Sequence, residues 1–366
     1  MPRLGFAVIR LRAHMLGRGF GWERGRLGSS GGMDSGLTVA VTGATGTVGR
    51  ELIALLEADD RVSGVVATAR RPRDGRDLGW RDTAVTPADV RDPTALDRAF
   101  AGADVVVHAA FSIYGMRQSR PELHAVNVEG SLNVAEAAVR AGVKRFVYLS
   151  SIAAYGILPD NPQPLREDDP LRPTDHHFYA THKAEVEPRL RAVLAEAGIE
   201  TYVLRPCGIV GPHAAGAALD PVPRRASDLA RRALRAASRI GLRPVVIAPA
   251  VPTQFVHASD VAAAALLCVH GQGPVGAYNL AGDDVVEGEE VPELLGLRTL
   301  PLPRHVRRPA MRAVAALQSL HPVFAWPLTF AEPVLVDTTK ARTELGWRPR
   351  YSSRAALVAT RPGLGL

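Results

Sequence analysis

Tyr179 and Lys183 stand four residues apart in the segment YATHK, and their types and spacing suit proton transfer. Lysine is rare here, because the chain has 44 basic residues but only three lysines, at positions 144, 183 and 340. On a helix, residues four apart share one face, so a phenol and an ammonium would lie side by side. A neighbouring cation lowers the pKa of a tyrosine from its usual value of about 10. The pair predicts an acid–base site; for an isolated YxxxK, an exposed helical pair without function is the alternative.

The segment TGATGTVG follows an apolar run directly and opens the helical pattern TVGRELIALLEA. Glycines at this turn lack Cβ atoms, so the backbone can turn tightly and approach a diphosphate at the N-terminus of the helix. The spacing is G-x-x-G-x-x-G rather than the common G-x-G-x-x-G, and a plain structural turn is the alternative. The strand, turn and helix context favours a dinucleotide cofactor. The expected contacts are Gly43, Thr45, Gly46, Thr47, Val48 and Gly49.

The end of the second apolar run bears on the choice of cofactor. NAD-preferring sites usually carry an acidic residue there for the ribose 2′-hydroxyl, whereas this chain reads VVATARRPRDGR. Arg70 or Arg71 could bind a 2′-phosphate bidentately, which favours NADP over NAD, although such arginines can also be solubilising residues. Further on, Asp89 and Val90 are placed to meet the adenine, with Asp89 accepting from its amino group. A turn former or cap is the alternative for this aspartate.

Short apolar runs alternate with longer helical patterns from residue 37 to residue 205. The expected strands are LTVAVTG, VSGVVATA, ADVVVHAA, RFVYLSS and IETYVLRP. The expected helices are TVGRELIALLEA, PELHAVNVEGSLNVAEAAVRAG and DHHFYATHKAEVEPRLRAVLAEAG. Continuous apolar strands separated by helices are typical of a parallel sheet covered on both faces. The sequence therefore predicts an α/β fold with a doubly wound parallel sheet of the Rossmann type.

The changes of composition along the chain predict three parts. Residues 1–36 are rich in glycine, arginine and serine and are expected to be a disordered extension. Residues 37–205, with about 254–282, are expected to form the dinucleotide-binding domain. Residues 206–253 and 283–366 are expected to form a smaller C-terminal substrate lobe, which includes two arginine-rich segments at 222–241 and 300–320.

Charge and composition exclude several classes of protein. The net charge is +7, but residues 1–36 hold six arginines against two carboxylates, so the remaining 330 residues are nearly balanced. This pattern argues against a nucleic-acid partner. No apolar run reaches the roughly 18 residues that cross a bilayer, and Cys207 and Cys268 do not indicate a disulfide framework. We expect a cytoplasmic protein without a membrane span.

Histidine and cysteine spacing indicates no metal site. No cluster of these residues has the spacing of metal ligands, and His176 and His177 should point to two different faces of a helix.

Nine segments together resemble the extended short-chain dehydrogenase/reductase family, also called the NAD-dependent epimerase/dehydratase family. The likeness covers about residues 37–355. Its elements are TGATGTVG, DVRD at 89–92, HAA at 108–110, NVEG at 127–130, YLSSIAAYG at 148–156, YATHK, LRPCGIVGP at 204–212, FVHASD at 255–260 and DTTKARTELGWRP at 337–349. Their order and spacing make the resemblance specific.

The resemblance implies roles for four catalytic residues. Ser151, rather than Ser150, would hydrogen-bond the substrate oxygen, and Tyr179 would be the general acid or base. Lys183 would bind the nicotinamide ribose and lower the pKa of the phenol, and Asn127 would complete a proton relay. Without the resemblance, Ser151 could equally be a hydroxyl that caps the turn after its strand.

Further contacts follow from the same resemblance. Ala109 would line the cofactor cleft after the fourth strand, and Pro206 would lie in the segment that touches the nicotinamide. His257 and Asp260 match motif positions too, but a packing or capping role is the preferred interpretation. A homodimer formed through two helices of the dinucleotide-binding domain is expected on resemblance alone.

Three functions remain open. The first is an NAD(P)-dependent oxidoreductase that interconverts a carbonyl and an alcohol by hydride transfer, with Tyr179 as general acid or base. The second is an NAD-dependent sugar-nucleotide epimerase, in which the same residues oxidise and re-reduce one carbon. The third is a non-catalytic NADP-binding sensor, which would have no use for the intact Ser151, Tyr179 and Lys183.

One observation argues against sugar 4,6-dehydration, and another favours the oxidoreductase over the epimerase. Dehydratases of the family carry Thr-Asp-Glu where this chain has Ser151, Ile152 and Ala153, so the acidic pair for water elimination is missing. An epimerase keeps its NAD bound, whereas the arginines after the second strand suit an exchangeable NADP. The small-molecule substrate itself is not indicated.

Overall fold

A computed structural model of the protein describes residues 36–364, apart from residues 72, 114–117, 175–176, 215–244, 250, 303–304, 307–308, 311–312, 314–328 and 330. The predicted extension at residues 1–36, except for Gly36, lies outside the described residues. The arginine-rich segment at 222–241 and most of the one at 300–320 also lie outside them.

The predicted apolar runs form a seven-stranded sheet in the order β10-β6-β5-β4-β1-β2-β3. The strands of the described chain are β1 (Leu37–Thr42), β2 (Val62–Ala69), β3 (Val85–Pro87), β4 (Val105–His108), β5 (Arg145–Leu149), β6 (Glu200–Pro206), β7 (Gly208–Val210), β8 (Val245–Pro249), β9 (Phe255–His257), β10 (Gly276–Leu280) and β11 (Arg298–Leu302). All neighbours in the seven-stranded sheet run parallel. The strand order reverses between β1 and β4, and ligands bind beside such a reversal, at the carboxyl ends of the strands.

Helices cover both faces of this sheet. The described helices are α1 (Thr47–Leu56), α2 (Pro93–Phe100), α3 (Arg120–His124), α4 (Gly130–Ala141), α5 (Phe178–Glu196), α6 (Ala258–Val269), α7 (Glu290–Leu294), α8 (Thr339–Glu344) and α9 (Ser353–Leu364). Apolar side chains of α1 and α6, such as Leu52 and Ala265, belong to one core, and those of α2, α4 and α5, such as Leu96 and Leu190, belong to another. The predicted doubly wound, Rossmann-type α/β fold is confirmed, because the seven strands run parallel and helices pack against both faces of their sheet.

Two predicted helices differ from the structure at functionally placed residues. The helix expected at 121–142 is divided into α3 and α4 by a π-helical turn at Ala125–Glu129. The helix expected from Asp175 begins at Phe178, because the Nδ1 atom of His177 accepts a hydrogen bond of 3.2 Å from the backbone nitrogen of Ala180 and caps the helix. The expectation that His177 points from a helix face is therefore wrong, and His176 lies outside the described residues.

Two short parallel pairs, β7 with β9 and β8 with β11, lie outside the main sheet. A third apolar core, which includes Val210, Phe255, Leu295 and Ala356, joins β7 and β9 to α9. The last strand of the main sheet, β10, pairs with β6 although β7, β8, β9 and α6 lie between them in the chain. The division into a dinucleotide-binding domain and a substrate lobe stays a prediction.

Cys207 and Cys268 are buried thiols that form no disulfide. None of the helices that the structure describes is both long enough and apolar enough to cross a membrane.

Candidate active site

The turn between β1 and α1 has a backbone that only glycine allows. Gly43 has a φ of +68°, and a Cβ atom there would lie 2.6 Å from the backbone nitrogen of Ala110. Gly46 is the N-cap residue of α1, and no side chain forms a capping hydrogen bond there. The first amide groups of the helix, at the end of the sheet, are therefore not occupied by a capping side chain. This open turn at a helix N-terminus, beside the reversal of strand order, fits the diphosphate of a dinucleotide.

The other residues predicted at this turn differ in what they can contribute. Gly49 lies inside the first turn of α1, where a Cβ atom would be 2.4 Å from the carbonyl oxygen of Gly43, so it allows the helix to pack against the turn. Val48 is buried in the core, so its backbone rather than its side chain could meet a ligand. Thr45 and Thr47 are partly exposed on either side of Gly46.

Charged groups cluster after β2 and β3, where the adenosine end of a cofactor is expected. Arg70 is exposed directly after β2. The Oδ2 atom of Asp89 lies 2.7 Å from a guanidinium nitrogen of Arg91, and this hydrogen bond lowers the pKa of the carboxyl, with a smaller contribution from the charge of Arg70. Val90 is buried against Gly130 of α4. The partner Arg91 was not foreseen, although its position two residues after Asp89 was visible in the sequence.

Ser151 and Tyr179 are brought together from two elements. Ser151 follows β5, and Tyr179 lies in the first turn of α5, where its side chain is partly buried. The two hydroxyls are hydrogen-bonded to each other. The Oγ atom of Ser151 also accepts a hydrogen bond of 3.2 Å from the backbone nitrogen of Ala153, so the capping role weighed from the sequence is present as well. One serine thus both caps the helical turn after β5 and contacts the phenol.

Lys183 is buried one helical turn after Tyr179. Its Nζ atom donates to the carbonyl oxygen of Leu149 at 2.6 Å and to the hydroxyl of Tyr148 at 3.2 Å. It also lies 3.8 Å from the ring centroid of Phe111, which is a close cation–π contact. Burial lowers the pKa of the ammonium to about 7, and the negative charge of Glu187 opposes this change.

The predicted influence of Lys183 on the pKa of Tyr179 stays a prediction, because other groups dominate the surroundings of the phenol. Burial raises the pKa of Tyr179 above its usual value, and the hydrogen bond from Ser151 is the group that lowers it. The Nζ atom of Lys183 lies 5.9 Å from the centroid of the Tyr179 ring and is hydrogen-bonded to other oxygens. The phenol is therefore protonated at neutral pH, which is the form that donates a proton.

Asn127 lies in the π-helical turn and holds the segment after β4. Its Oδ1 atom accepts a hydrogen bond of 2.7 Å from the backbone nitrogen of Ser112, and its Nδ2 atom donates to the carbonyl oxygen of Ser112 at 2.9 Å. Nδ2 also lies 3.3 Å from Nδ1 of His182, and the main-chain oxygen accepts from Ser131 at 2.6 Å. The amide thus fixes the segment that begins with Phe111. The proton relay implied by the resemblance stays a prediction.

Ala109 and Pro206 lie at the same edge of the sheet as the residues above. The backbone nitrogen of Ala109 donates to the carbonyl oxygen of Thr42 directly after β4. Pro206 is the last residue of β6 and is buried opposite Leu280 of β10. Because parallel strands bring their carboxyl ends to one edge, both residues lie at the same edge of the sheet as the glycine turn.

Two groups at the site were missed by sequence reasoning. The ring of Phe111 meets that of Tyr179 edge to face, with 5.5 Å between centroids, and also contacts Lys183. The hydroxyl of Ser150 donates to Glu187 at 2.7 Å, so this neighbour of Ser151 is used elsewhere. The spacing of Glu187, four residues after Lys183, was the available signal; nothing local to Phe111 marked it.

His257 and Asp260 have the structural roles expected of them. The Nδ1 atom of His257 accepts from the backbone nitrogen of Ser259 at 3.2 Å and caps α6, and Asp260 accepts from the backbone nitrogen of Tyr351 at 3.2 Å. Within the described ranges, no three histidine, cysteine, aspartate or glutamate side chains converge as metal ligands would.

The doubly wound parallel sheet, the glycine turn at its reversal and the Ser–Tyr–Lys group beside that turn define a dinucleotide-dependent enzyme of the Rossmann type. The chain belongs to the NAD-dependent epimerase/dehydratase family, whose sequence profile matches residues 39–281. The resemblance to this family is therefore confirmed.

The chain aligns with two known oxidoreductases along nearly their whole length. The chain is 30% identical over 327 residues to 3-diazoavenalumate denitrifying reductase of a Streptomyces species, which covers 87% of this chain and 97% of that protein. It is 30% identical over 325 residues to dTDP-6-deoxy-L-talose 4-dehydrogenase (NAD(P)(+)) of Kitasatospora kifunensis, which covers 87% and 93%. A crystal structure of UDP-glucose 4-epimerase from Thermus thermophilus in complex with NAD matches with a TM-score of 0.66 at 23% identity, over 90% of this chain and 99% of that one.

Proposed function

We propose that the protein is an NAD(P)-dependent oxidoreductase that reduces a carbonyl to an alcohol, with Tyr179 as the general acid. The observation that carries this proposal is the hydrogen bond between Ser151 and Tyr179 at the carboxyl edge of the sheet, with Lys183 one helical turn away. A protonated phenol and a second hydroxyl that point at each other can both be directed at one substrate oxygen.

The cofactor would be held by the glycine turn and by the residues at the ends of the neighbouring strands. Gly43 and Gly46 leave room for a diphosphate at the N-terminus of α1. Ala109 and Pro206 would lie along the rest of the cofactor. A bound reduced nicotinamide supplies the hydride for the carbonyl carbon.

The side chains of the site would each have a separate role in the reduction. Ser151 donates a hydrogen bond to the substrate oxygen and holds it beside Tyr179. Tyr179 releases its phenolic proton to that oxygen as the alcohol forms, and its raised pKa keeps this proton in place at neutral pH until it is needed. Lys183 would then stabilise the phenolate, because an ammonium beside a phenolate lowers its free energy. Asn127 keeps the segment carrying Phe111 against the site.

Relatives support the oxidoreductase. Two proteins that align along nearly their whole length are named a reductase and a dehydrogenase. The second candidate function is sugar-nucleotide epimerisation, which is favoured by one observation: the dehydrogenase is named for a dTDP-deoxysugar, so a substrate lobe of this kind can accept a nucleotide sugar. The residues would be the same, with oxidation and re-reduction at one carbon.

The direct experiment is to incubate the purified protein with NADPH or NADH and a panel of ketones, aldehydes, lactones and nucleotide sugars. Consumption of the reduced cofactor with formation of an alcohol is the expected result. Inversion of a nucleotide sugar without net redox change would establish the epimerase instead. Binding of NADPH without any turnover across the panel would favour the non-catalytic sensor.

We also propose that NADP is preferred over NAD, because Arg70 is exposed at the end of β2. Arg70→Ala should raise the KM for NADPH about tenfold or more, because hydrogen bonds to a charged group contribute about 1.5–3 kcal/mol, and it should leave the KM for NADH unchanged. Arg98→Ala, which removes an exposed arginine from α2, is the matched control. An equal effect of Arg70→Ala on both cofactors would contradict the preference.

Assembly and location belong to the same proposal. We infer a homodimer from the resemblance, and a cytoplasmic location from the two cysteines, which are free thiols. The dinucleotide-binding domain would comprise residues 37–205 and about 254–282, and the substrate lobe would comprise the parts at 206–253 and 283–366.

A further inference from the structure

The carboxylate of Glu187 joins three elements next to the candidate site. Glu187 lies one helical turn after Lys183 on α5 and is fully buried. Its Oε2 atom accepts a hydrogen bond of 2.7 Å from Ser150 after β5, and its Oε1 atom lies 3.1 Å from Nε of Arg205 in β6. Each of these two partners directly precedes a residue of the candidate site.

The guanidinium of Arg205 is held on its other side as well. It donates to the hydroxyl of Tyr155 at 2.6 Å and to the carbonyl oxygen of Glu167 at 2.9 Å. Tyr155 in turn donates to Asn279 of β10 at 2.8 Å. The position of Glu187 is therefore set by a buried, hydrogen-bonded network. Its carboxylate pairs directly with Arg205 and also acts at longer range on a second cation, Lys183.

Among the residues that the structure describes, few other groups around Lys183 can balance its charge. The titratable groups that face it are Tyr148 from β5, Tyr179 and Glu187 from α5, and His108 from β4. The two tyrosines and the buried histidine are neutral at neutral pH, since burial raises the pKa of both phenols and lowers that of the histidine to about 3. Glu187 is the anion of this group.

We propose that Glu187 is a positioning residue that keeps the buried ammonium of Lys183 charged. It acts through Lys183 and does not contact the reacting atoms. A lysine that is nearly completely buried loses the hydration that stabilises its charge, and a carboxylate one turn away on the same helix face replaces part of that stabilisation. The two effects oppose each other, because burial lowers the pKa of Lys183 to about 7 and Glu187 raises it.

The test measures the titration of Lys183 directly. The protein has only three lysines, so ¹³C labelling of the lysine ε-carbons yields three NMR signals, which Lys144→Arg and Lys340→Arg assign. The signal of Lys183 should titrate at about pH 7 in the unsubstituted protein. In Glu187→Gln, which keeps the shape and removes the charge, the midpoint should be lower by about one pH unit or more.

Two further variants separate charge from structure. Glu187→Gln leaves Arg205 buried without its anion, which can prevent folding, so the double variant Glu187→Gln with Arg205→Met removes both charges together. Its Lys183 midpoint should be lowered as well. Ser150→Ala removes a hydrogen bond to the same carboxylate but keeps the charge, and its midpoint should stay at or above that of the unsubstituted protein.

The outcome that overturns the proposal is a double variant in which Lys183 titrates as in the unsubstituted protein, because Glu187 would then serve only to pair with Arg205. The catalytic consequence rests on the proposed function: kcat/KM of Glu187→Gln at pH 8 should fall about tenfold for each pH unit by which the midpoint is lowered, whereas at pH 6 a midpoint lowered by one unit should reduce it only about twofold. A lowered midpoint in a protein that reduces no carbonyl would support the role of Glu187 and contradict the proposed function.

Discussion

Tyr179→Phe is expected to lower kcat by about 10²–10⁴-fold and to leave the dissociation constant of the cofactor nearly unchanged. The substitution removes one hydroxyl and keeps the ring, which packs edge to face against Phe111. What is lost is the proton that the substrate oxygen must receive and the hydrogen bond with Ser151. A single missing proton donor explains a loss in turnover without a loss in binding, because the phenol acts on the substrate oxygen.

The measurement is NADPH consumption with the best substrate of the panel, together with fluorescence titration of cofactor binding. Tyr202→Phe is the matched control, because it deletes a hydroxyl that donates to the carbonyl oxygen of Gly273 at 2.8 Å, away from the site. Turnover of that variant should stay within a few-fold of the unsubstituted protein. Unchanged turnover in Tyr179→Phe would show that another group supplies the proton.

Gly43→Ala is expected to abolish measurable cofactor binding and to lower the free energy of unfolding by more than about 2 kcal/mol. Two effects add at this position. An alanine is strained at a φ of +68°, and its Cβ atom would lie 2.6–2.7 Å from backbone atoms of Ala109 and Ala110. Because those atoms belong to the segment after β4, relief of the clash would move the turn and that segment apart and would disturb the cradle for the diphosphate.

The control variant Gly102→Ala introduces the same kind of backbone strain without a steric clash. Gly102 has a φ of +75°, but a Cβ atom there would have no heavy atom within 4 Å. This variant should lose only about 1 kcal/mol of stability and should bind the cofactor normally. Denaturant unfolding and cofactor titration of both variants provide the comparison. Equal stability losses, or normal cofactor binding by Gly43→Ala, would refute the role assigned to the turn.

Much of the fold could be predicted from local patterns. The runs that became β1, β2, β4, β5 and β6 are apolar and β-branched, and their alternation with helices allowed a parallel sheet before any contact was known. The boundaries were less accurate where a side chain competes with the backbone pattern. His177 caps α5, so this helix begins at Phe178 rather than at Asp175. The π-helical turn around Asn127 divides the segment that the sequence predicts to be one helix.

The sequence alone determined which residues could perform chemistry, because the glycine turn and the pair Tyr179 and Lys183 depend on spacings of a few residues. Only the tertiary structure decided the surroundings of that pair. It places Phe111 against Lys183, pairs Ser150 with Glu187 rather than with the site, and buries the phenol, which raises its pKa. Ser150 and Glu187 are 37 residues apart, and desolvation depends on every group packed around a side chain. No local pattern contains that information, so the acid–base character of the site is a property of the folded protein.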